Sequence, residues 1–487
     1  MRKLLIILVI GCITAGAALA QTARPGDAGL GDPYFPLLGN GGYDVQHYTI
    51  DLTADVEDNT VLATVTIDAV ATQALSAFNL DFLGFFVADV TVNGKRVVYE
   101  RDGREMTLFL KEPLDEGEAF TTTVTYFGVP GEGVADPYDV FGLGWANYGD
   151  GVFVASEPAG AARWFPANDH PLDKATFTFR ITVPEEYVVA ANGLLRETRA
   201  ARGGMMTYVW ETEYPMATYL ATVNIGDFVR QEDEGPDGLP IRNYFPAQLA
   251  QRGTRVFENQ PRMLALFSDL FGPYPFEAYG AVVVDTPLGF ALETQTLSLF
   301  GREVLSVFSF GRDPQSVIAH ELAHQWFGNS VSPASWQDIW LHEGFATYAQ
   351  ALWIDHERGA EALADYMRGL YAYISSPALQ DPRIAAPGSP PPEALFNPSV
   401  YQRGGWTLHA LRLRVGDEAF FEILPTYYQR FAYGNATTED FIAVAEEVSG
   451  EDLDEFFRAW LYETEVPPVP EMGLPPVIED EELEQAG

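Results

Sequence analysis

The sequence predicts an α+β protein in which an antiparallel β domain precedes a mainly helical domain. Short runs of alternating apolar and polar residues recur between residues 43 and 230, which is the spacing of half-buried strands. Helical periodicity begins near residue 255. The chain has 487 residues, which is long for one domain, so each part can bury a core of its own.

The first twenty residues have the composition of an export signal. Arg2 and Lys3 form a basic start, Leu4 to Ile10 form an apolar run, and residues 18–20 form a small-residue cleavage site. The mature protein is therefore expected to be periplasmic or extracellular. An alternative is a lipid anchor on Cys12, because the residues before it resemble a lipoprotein box. Cys12 is the only cysteine, so no intramolecular disulfide is expected.

The β domain is expected over residues 41–230, after a Gly- and Pro-rich lead-in at residues 21–40 that we predict to be flexible. Asn93-Gly94 predicts a tight hairpin turn. The strand-like segments are residues 47–52, 61–67, 120–126, 175–183 and 217–223.

The second domain is expected over residues 231–466. The proline-rich stretch at residues 375–398, taken alone, suggests a domain linker, whereas the family resemblance given below implies a surface loop within this domain. Residues 467–487 are predicted to be a disordered acidic tail. No run of eighteen or more apolar residues follows the export signal, so no membrane-spanning segment is expected in the mature chain.

The net charge of −40 bears on the choice of partners. It disfavours nucleic acid and anionic membrane surfaces, and it attracts cations such as the free amines of peptides. Solubility or life in a salty medium explains the same charge equally well.

The segment His320-Glu321-Leu322-Ala323-His324 carries the chemistry. On a helix, positions i and i+4 lie on one face, so both imidazoles can bind one zinc ion with Glu321 beside it to move protons. A catalytic zinc takes three protein ligands and keeps one position open. Glu343, nineteen residues after His324, is the candidate third ligand.

The context of this segment supports function over coincidence. Asp313 is a plausible N-cap, Pro314 suits the first helical position, and Gly328-Asn329 suits a C-terminal stop. Four of the seven histidines fall between residues 320 and 356, and an ordinary core helix has no need of them. We expect one zinc ion, and we expect His342 and His356 to be surface residues rather than additional ligands.

These residues, with Glu343 in the segment Trp340 to Ala346, resemble the zinc aminopeptidases of peptidase family M1, of the aminopeptidase N type. The resemblance extends through residues 325–329 and through Trp336, Asp338 and Trp340. It implies a saddle-like β domain followed by a thermolysin-like catalytic domain. It also implies a short form, because longer family members continue with further domains.

The resemblance implies roles for further residues. Glu293 would bind the α-ammonium group of the substrate, although Phe290, Leu292 and Thr294 replace the Gly, Met and Asn of the family. Tyr401 would donate a hydrogen bond to the oxyanion of the tetrahedral intermediate, in a segment where the family's lysine is replaced by arginine.

The β domain carries a looser resemblance. Glu157-Pro158 and the segment Arg163 to Pro171 resemble the family's stretch between the β domain and the catalytic site. Ala155 occupies the place of a family glutamine that helps to hold the substrate N-terminus, and Ala167 stands where cysteine is common. Asp338 either orients a ligand histidine or caps the helix that carries Glu343, and the sequence favours neither role.

The predicted function is hydrolysis of N-terminal residues from peptides, with zinc and with Glu321 as the general base. One alternative is a zinc endopeptidase, which would follow if the altered surroundings of Glu293 no longer bind an amine. Another is a catalytically silent, zinc-bearing protein that binds peptides. The presence of Glu321 argues against the silent protein, since a purely structural zinc site needs no base.

Overall fold

The computed structural model describes residues 22–131, 136, 138, 143–306 and 313–474. The predicted export signal, its alternative lipid anchor at Cys12, and residues 475–487 of the predicted acidic tail lie outside the described residues.

Strands come first in the chain and helices follow, which confirms the predicted order. The strands are β1 Arg24–Pro25, β2 Tyr43–Asp55, β3 Thr60–Ala71, β4 Leu75–Asp81, β5 Phe86–Val92, β6 Lys95–Arg96, β7 Val98–Asp102, β8 Glu105–Leu114, β9 Ala119–Gly128, β10 Gly144–Asn147, β11 Val152–Ala155, β12 Lys174–Pro184, β13 Val188–Ala191, β14 Leu194–Ala201, β15 Met205–Glu211, β16 Met216–Ala217, β17 Val223–Gly226, β18 Phe228–Glu234, β19 Pro240–Pro246, β20 Tyr279–Val284, β21 Ala291–Leu292, β22 Ser298–Gly301, β23 Ser332–Pro333 and β24 Asn435–Ala436. The helices are α1 Ala250–Val256, α2 Gln260–Phe271, α3 Pro314–Ala323, α4 Trp340–Arg358, α5 Ala360–Ile374, α6 Pro398–Val415, α7 Asp417–Phe431, α8 Thr438–Ser449 and α9 Asp454–Leu461.

The N-terminal domain is built on a long sheet with the order β14-β15-β12-β2-β3-β9-β5-β6. Its neighbouring strands are antiparallel except β12 and β2, which run parallel. Two smaller sheets, β1-β4-β8-β7 and β10-β11-β17-β13, complete the domain. Burial alternates along β2 and β3, as expected for strands with one face on a core.

Two local predictions have different outcomes. Asn93 and Gly94 have φ of 50° and 72° and join β5 to β6, so the predicted tight turn is confirmed. The predicted strand at residues 217–223 is wrong. Thr218–Leu220 form a 3₁₀ turn between β16 and β17, and the side chains there are buried around the site described below.

The lead-in differs from the flexible segment expected from its composition. Phe35 and Leu38 are buried in the core. The Asp32 carboxylate is also buried, and it accepts hydrogen bonds from the backbone N–H of Trp336 at 2.8 Å and from the ring of His170 at 3.2 Å. The segment therefore ties the β domain to the loop before α4. Gly and Pro content indicated irregular structure here, but it did not reveal this packing.

The second domain begins with the sheet β18-β19-β20-β22-β21 and continues with packed helices. The helices α4 and α6 cross where Gly344 faces Gly404, and a Cβ added to Gly344 would lie 2.8 Å from the carbonyl carbon of Gly404. Only glycine permits such a close approach of two helices. The crossing brings the first turns of α4 and α6 together.

The two domains meet at the turn that follows α3. The Lys174 ammonium group, at the start of β12, donates to the carbonyls of Asn329, Ser330 and Gly434 at 3.2, 2.9 and 2.8 Å. The carbonyls of Asn329 and Gly434 also accept hydrogen bonds from Ser332, at 3.3 and 3.1 Å, so Lys174 adds a second donor to each. The β domain thus supports the backbone of the turn that follows α3.

Among the residues that the structure describes, no helix combines the length and the apolar character that crossing a bilayer requires.

Candidate active site

Helix α3 presents the two predicted histidine ligands. The Asp313 side chain accepts a hydrogen bond from the Gln315 N–H at 3.1 Å, and Pro314 occupies the first helical position, so the predicted helix start is confirmed. The helix ends at Ala323, earlier than the predicted stop at Gly328, with His324 still in helical conformation as the C-cap. The imidazole centroids of His320 and His324 are therefore only 4.7 Å apart.

Helix α4 brings Glu343 to these rings. Its Oε2 atom lies 3.0 Å from Nε2 of His320 and 3.5 Å from Nε2 of His324. One atom from each of the three side chains lies within 4.8 Å of the other two, and all three side chains are buried. The structure therefore brings the three predicted metal ligands together.

Hydrogen bonds on the far side of each ring hold the histidines in place. Nδ1 of His320 lies 2.6 Å from Nε2 of Gln350, and Nδ1 of His324 lies 3.1 Å from the Phe327 carbonyl. Because a carbonyl only accepts, Nδ1 of His324 carries the proton and Nε2 faces the centre as a lone-pair donor.

The predicted residue Asp338 lies elsewhere. Its Oδ1 atom accepts from the hydroxyl and the backbone N–H of Thr438 at 2.6 and 3.2 Å, at the start of α8. The N-cap position of α4 is Ile339, which makes no side-chain capping bond. In the described residues, the hydrogen bonds of Asp338 reach α8 and none of the metal ligands.

The donor set fits a zinc ion. Two imidazole nitrogens and one carboxylate oxygen are ligands that zinc takes in catalytic sites. In the metal-free site, the charges of neighbouring groups shift the pKa values of the candidate ligands. Burial opposes protonation of His324, but the carboxylates of Glu293 and Glu343 raise its pKa to about 10. Burial would raise the pKa of Glu343, but His324 holds it below its ordinary value. A divalent cation would replace this proton and satisfy the same three groups.

Glu321, the predicted base, points into the same space from α3. One of its carboxylate oxygens lies within 4.8 Å of the ligand atoms of His324 and Glu293. Burial, with the repulsion of Glu293 and Glu343, raises the pKa of Glu321 well above its ordinary value. A carboxylate with a raised proton affinity beside a metal site is suited to accept and return a proton.

Tyr401, on α6, reaches the site through the close helix crossing at Gly344. Its ring stacks on His320 with centroids 6.0 Å apart and planes 18° apart, and its hydroxyl is hydrogen-bonded to Glu343. Burial and the Glu343 charge raise the pKa of Tyr401 well above its ordinary value, so the hydroxyl stays a donor. It stands where a donor to an oxyanion is needed.

Glu293 follows the edge strand β21 and is 2% exposed. Its backbone carbonyl accepts from the side-chain amides of Gln325 and Asn329 at 3.0 and 2.7 Å, which ties it to the metal helix. The Tyr219 hydroxyl donates to its carboxylate at 3.3 Å. Burial raises the pKa of Glu293, and the carboxylate faces the site.

Glu157 is a functional candidate that the sequence prediction missed. It comes from the β domain, just after β11, and is 8% exposed. Its Oε1 atom has no hydrogen-bond partner among the described residues. Burial and the charges of Glu293, Glu343 and Glu321 raise the pKa of Glu157 well above its ordinary value. An acidic residue directly after the wholly buried strand β11 was the signal that could have found it.

These groups line one end of a cavity of about 500 Å³. The other walls are largely apolar and belong to Leu143, Leu288, Phe290, Ala291, Leu292, Val317 and Phe396. The site thus combines a metal-binding triad, a base, a hydroxyl donor and two further carboxylates beside an apolar chamber.

Known proteins match both domains of this chain. The model of the peptidase M1 N-terminal domain matches residues 44–220, and that of the peptidase family M1 domain matches residues 255–460. The crystal structure of an M1 zinc metallopeptidase from Deinococcus radiodurans superposes with a TM-score of 0.81 at 34% identity, covering 92% of this chain and 100% of the other. The chain belongs to peptidase family M1. The cluster of His320, His324 and Glu343 could hold the zinc ion of such an enzyme.

Other relatives place the chain within this family. A variant of the Deinococcus M1 enzyme, solved with a Tyr-Ser-Ala substrate, also superposes with a TM-score of 0.81 at 34% identity, covering 91% of this chain and 100% of that one. Aminopeptidase M1-B of Oryza sativa is 31% identical over 62% of this chain, and leucyl aminopeptidase of Saccharolobus solfataricus is 27% identical over 78%. The chain spans 36% and 49% of the lengths of these two enzymes.

Proposed function

We propose that this member of family M1 is a zinc aminopeptidase that removes N-terminal residues from peptides. The observation that carries the proposal is the pair of buried carboxylates, Glu157 and Glu293, beside the metal-binding triad. A substrate with a free N-terminus brings a cation to these carboxylates. The aminopeptidases and the substrate-bound M1 structure among its relatives support the same reading.

The first peptide bond is cleaved by water. His320, His324 and Glu343 would hold a zinc ion, which would supply a water of lowered pKa and polarise the scissile carbonyl. Glu321 takes the proton from the attacking water, and it then delivers that proton to the nitrogen of the leaving amine. The raised proton affinity of Glu321 suits both halves of this transfer.

Tyr401 and the two buried carboxylates set the geometry. The Tyr401 hydroxyl donates a hydrogen bond to the carbonyl oxygen as that oxygen gains negative charge. Glu157 and Glu293 hold the α-ammonium group by charge-assisted hydrogen bonds in a place shielded from water. Because this anchor lies beside the metal ligands, it places the first peptide bond, and no later one, at the reacting centre.

The test compares one short peptide with its N-acetylated form, each with and without a zinc chelator. Cleavage of the free peptide alone, lost on chelation and restored by zinc, is the expected result. Equal cleavage of both peptides would instead identify an endopeptidase. No cleavage across a varied peptide set, with zinc still bound, would identify a protein that only binds peptides.

Export belongs to the same proposal. The basic start, apolar run and small-residue cleavage site at residues 1–20 support removal of a signal and release of the mature chain outside the cytoplasm. Mass spectrometry of the natively produced protein tests this. A mature chain that begins near Gln21 is expected, whereas a lipid-modified Cys12 at the N-terminus would establish membrane anchoring.

A further inference from the structure

The buried ring of His342 has no role in the mechanism above. The sequence led us to expect a surface residue, but His342 is 1% exposed, so that expectation is wrong. Neither of its ring nitrogens has a hydrogen-bond partner among the described residues. A buried imidazole without partners loses the hydrogen bonds that water would supply. Its burial beside the active site therefore points to a ligand.

The ring is directed at the two carboxylates of the proposed amine anchor. One ring nitrogen of His342 and one oxygen each from Glu157 and Glu293 all lie within 4.8 Å of one another. Each of the three residues is more than nine-tenths buried, and Glu157 Oε1 also has no hydrogen-bond partner in the described part of the chain. This cluster shares no residue with the triad of His320, His324 and Glu343.

We propose that His342, Glu157 and Glu293 form a second site for a divalent first-row metal ion such as Zn²⁺. One imidazole nitrogen and two carboxylate oxygens are donors that such ions accept. Metal–ligand bonds of about 2.1 Å place tetrahedral ligands about 3.4 Å apart. The three donor atoms lie within 4.8 Å of one another, so each pair must approach by at most about 1.4 Å, which side-chain rotations of the two glutamates can supply.

The charge of the site is consistent with a second cation. Glu157, Glu293, Glu321 and Glu343 together carry four negative charges when ionised, and one zinc ion at the triad offsets two of them. The remaining charge can be balanced by a second divalent ion or, in part, by the ammonium group of a substrate. Both would occupy Glu157 and Glu293, so we infer that they exclude each other. This competition, unlike the metal site itself, rests on the proposed function.

Metal stoichiometry tests the site without reference to catalysis. Purified holoenzyme is titrated with Zn²⁺ by calorimetry, with excess Mg²⁺ present to occupy weak surface carboxylates. Counting the ion that the holoenzyme already holds, the wild-type chain is expected to bind two equivalents of zinc in total, and His342→Leu is expected to bind one. His356→Leu is the matched control, because His356 lies exposed on the same helix, and it should behave as wild type.

Either of two results overturns the proposal. One is a wild-type chain that binds a single equivalent up to millimolar zinc, and the other is a His342→Leu chain that keeps the second equivalent. His342→Gln provides a second variant if the leucine chain does not fold, with circular dichroism as the check. The same loss of the second equivalent is expected for it.

Competition with substrate is measured separately. Added zinc should raise the apparent KM for a free peptide and leave kcat unchanged, with about a tenfold rise at zinc ten times above the dissociation constant of the second site. His342→Leu should lose this zinc sensitivity. A second zinc equivalent in a chain that cleaves no peptide would support the metal site and refute the proposed function. A lowered kcat with unchanged KM would refute the competition.

Discussion

Two regions of the molecule each bury three or more acidic side chains together. They differ in whether a buried arginine pairs with the carboxylates. In the β domain, Arg104 donates to Asp81, Asp136 and Asp169 at 2.8, 2.8 and 3.2 Å, and all four side chains are buried. In the active site, Glu157, Glu293 and Glu321 are buried as well. Among the described residues, no lysine or arginine forms an ion pair with any of these three.

The difference separates structural charge from functional charge. Carboxylates with an internal arginine are satisfied by the fold, so they hold the domain together and bind nothing else. Glu157 faces no cation, and burial with the charges of Glu293, Glu343 and Glu321 raises its pKa well above its ordinary value. Glu293 and Glu321 face the ring of His324, which lowers their pKa values but does not offset the effect of burial. Under the proposed function, the active site therefore receives cations, first the metal and then the ammonium group of the substrate.

The largest expected effect comes from Glu321→Gln, which removes a charge from the second region. We expect kcat to fall by about 10²–10⁴-fold, because general acid–base catalysis is lost. Zinc content, measured by atomic absorption, should stay at the wild-type level. Unfolding in urea should show no loss of stability, since the variant removes mutual repulsion. A variant with substantial activity would refute the role of Glu321.

Arg104→Leu tests the buried carboxylates of the β domain by removing the cation that pairs with them. It leaves buried carboxylates without their cation, so we expect the free energy of unfolding to fall by about 3–5 kcal/mol. In the molecules that remain folded, kcat/KM should be unchanged. Arg96→Leu is the control, because its ion pair with Asp89 is largely exposed, and it should cost less than about 1 kcal/mol. Equal costs for the two variants would contradict the comparison.

Glu293→Gln tests whether a single carboxylate of the active site binds the ammonium group of the substrate. Loss of one charge-assisted hydrogen bond to the ammonium group, about 1.5–3 kcal/mol, should lower kcat/KM for a free peptide by about 10- to 100-fold. Stability should not fall. Steady-state kinetics on free and N-acetylated peptides measure the effect. A variant that loses activity equally on the free and the N-acetylated peptide would show that Glu293 does not bind the α-ammonium group.

The smallest expected effect concerns metal binding and pH. His324 has a pKa raised to about 10 in the metal-free site, so zinc must displace its proton at neutral pH. Zinc affinity should therefore rise with pH, by at most about tenfold per unit, and level off as pH approaches 10. Calorimetry in buffers of different ionisation enthalpy would report the released proton. An affinity independent of pH would contradict this charge assignment.

Local sequence patterns account for the parts of this site that lie on one helix or one short segment. The spacing of His320 and His324, and the cap at Asp313, follow from helix geometry alone. Glu343 was predicted from the three ligands that a catalytic zinc needs and from its position after His324, whereas Tyr401 rested on the resemblance. A helix crossing through Gly344 and Gly404 brings these two residues together, and no local pattern encodes it.

Residues that come from elsewhere in the fold escaped prediction for the same reason. Glu157 enters the site from the β domain. His342 lies in the first turn of α4, and its side chain is buried together with those of its neighbours. Both depend on how two domains pack, and a single sequence carries no direct signal of that packing. The alternation of strands, by contrast, is a local property, and the β domain was predicted from it.

The buried carboxylate of Asp32 has a practical consequence for N-terminal truncation of this protein. Its bond to the Trp336 N–H joins the segment before β2 to the loop that leads into the helix of Glu343. A recombinant chain that starts at Tyr43 would keep every side chain of the candidate site named above but would lose this hydrogen bond. The start codon of an expression plasmid is therefore best placed well before residue 32, close to the expected start of the mature chain.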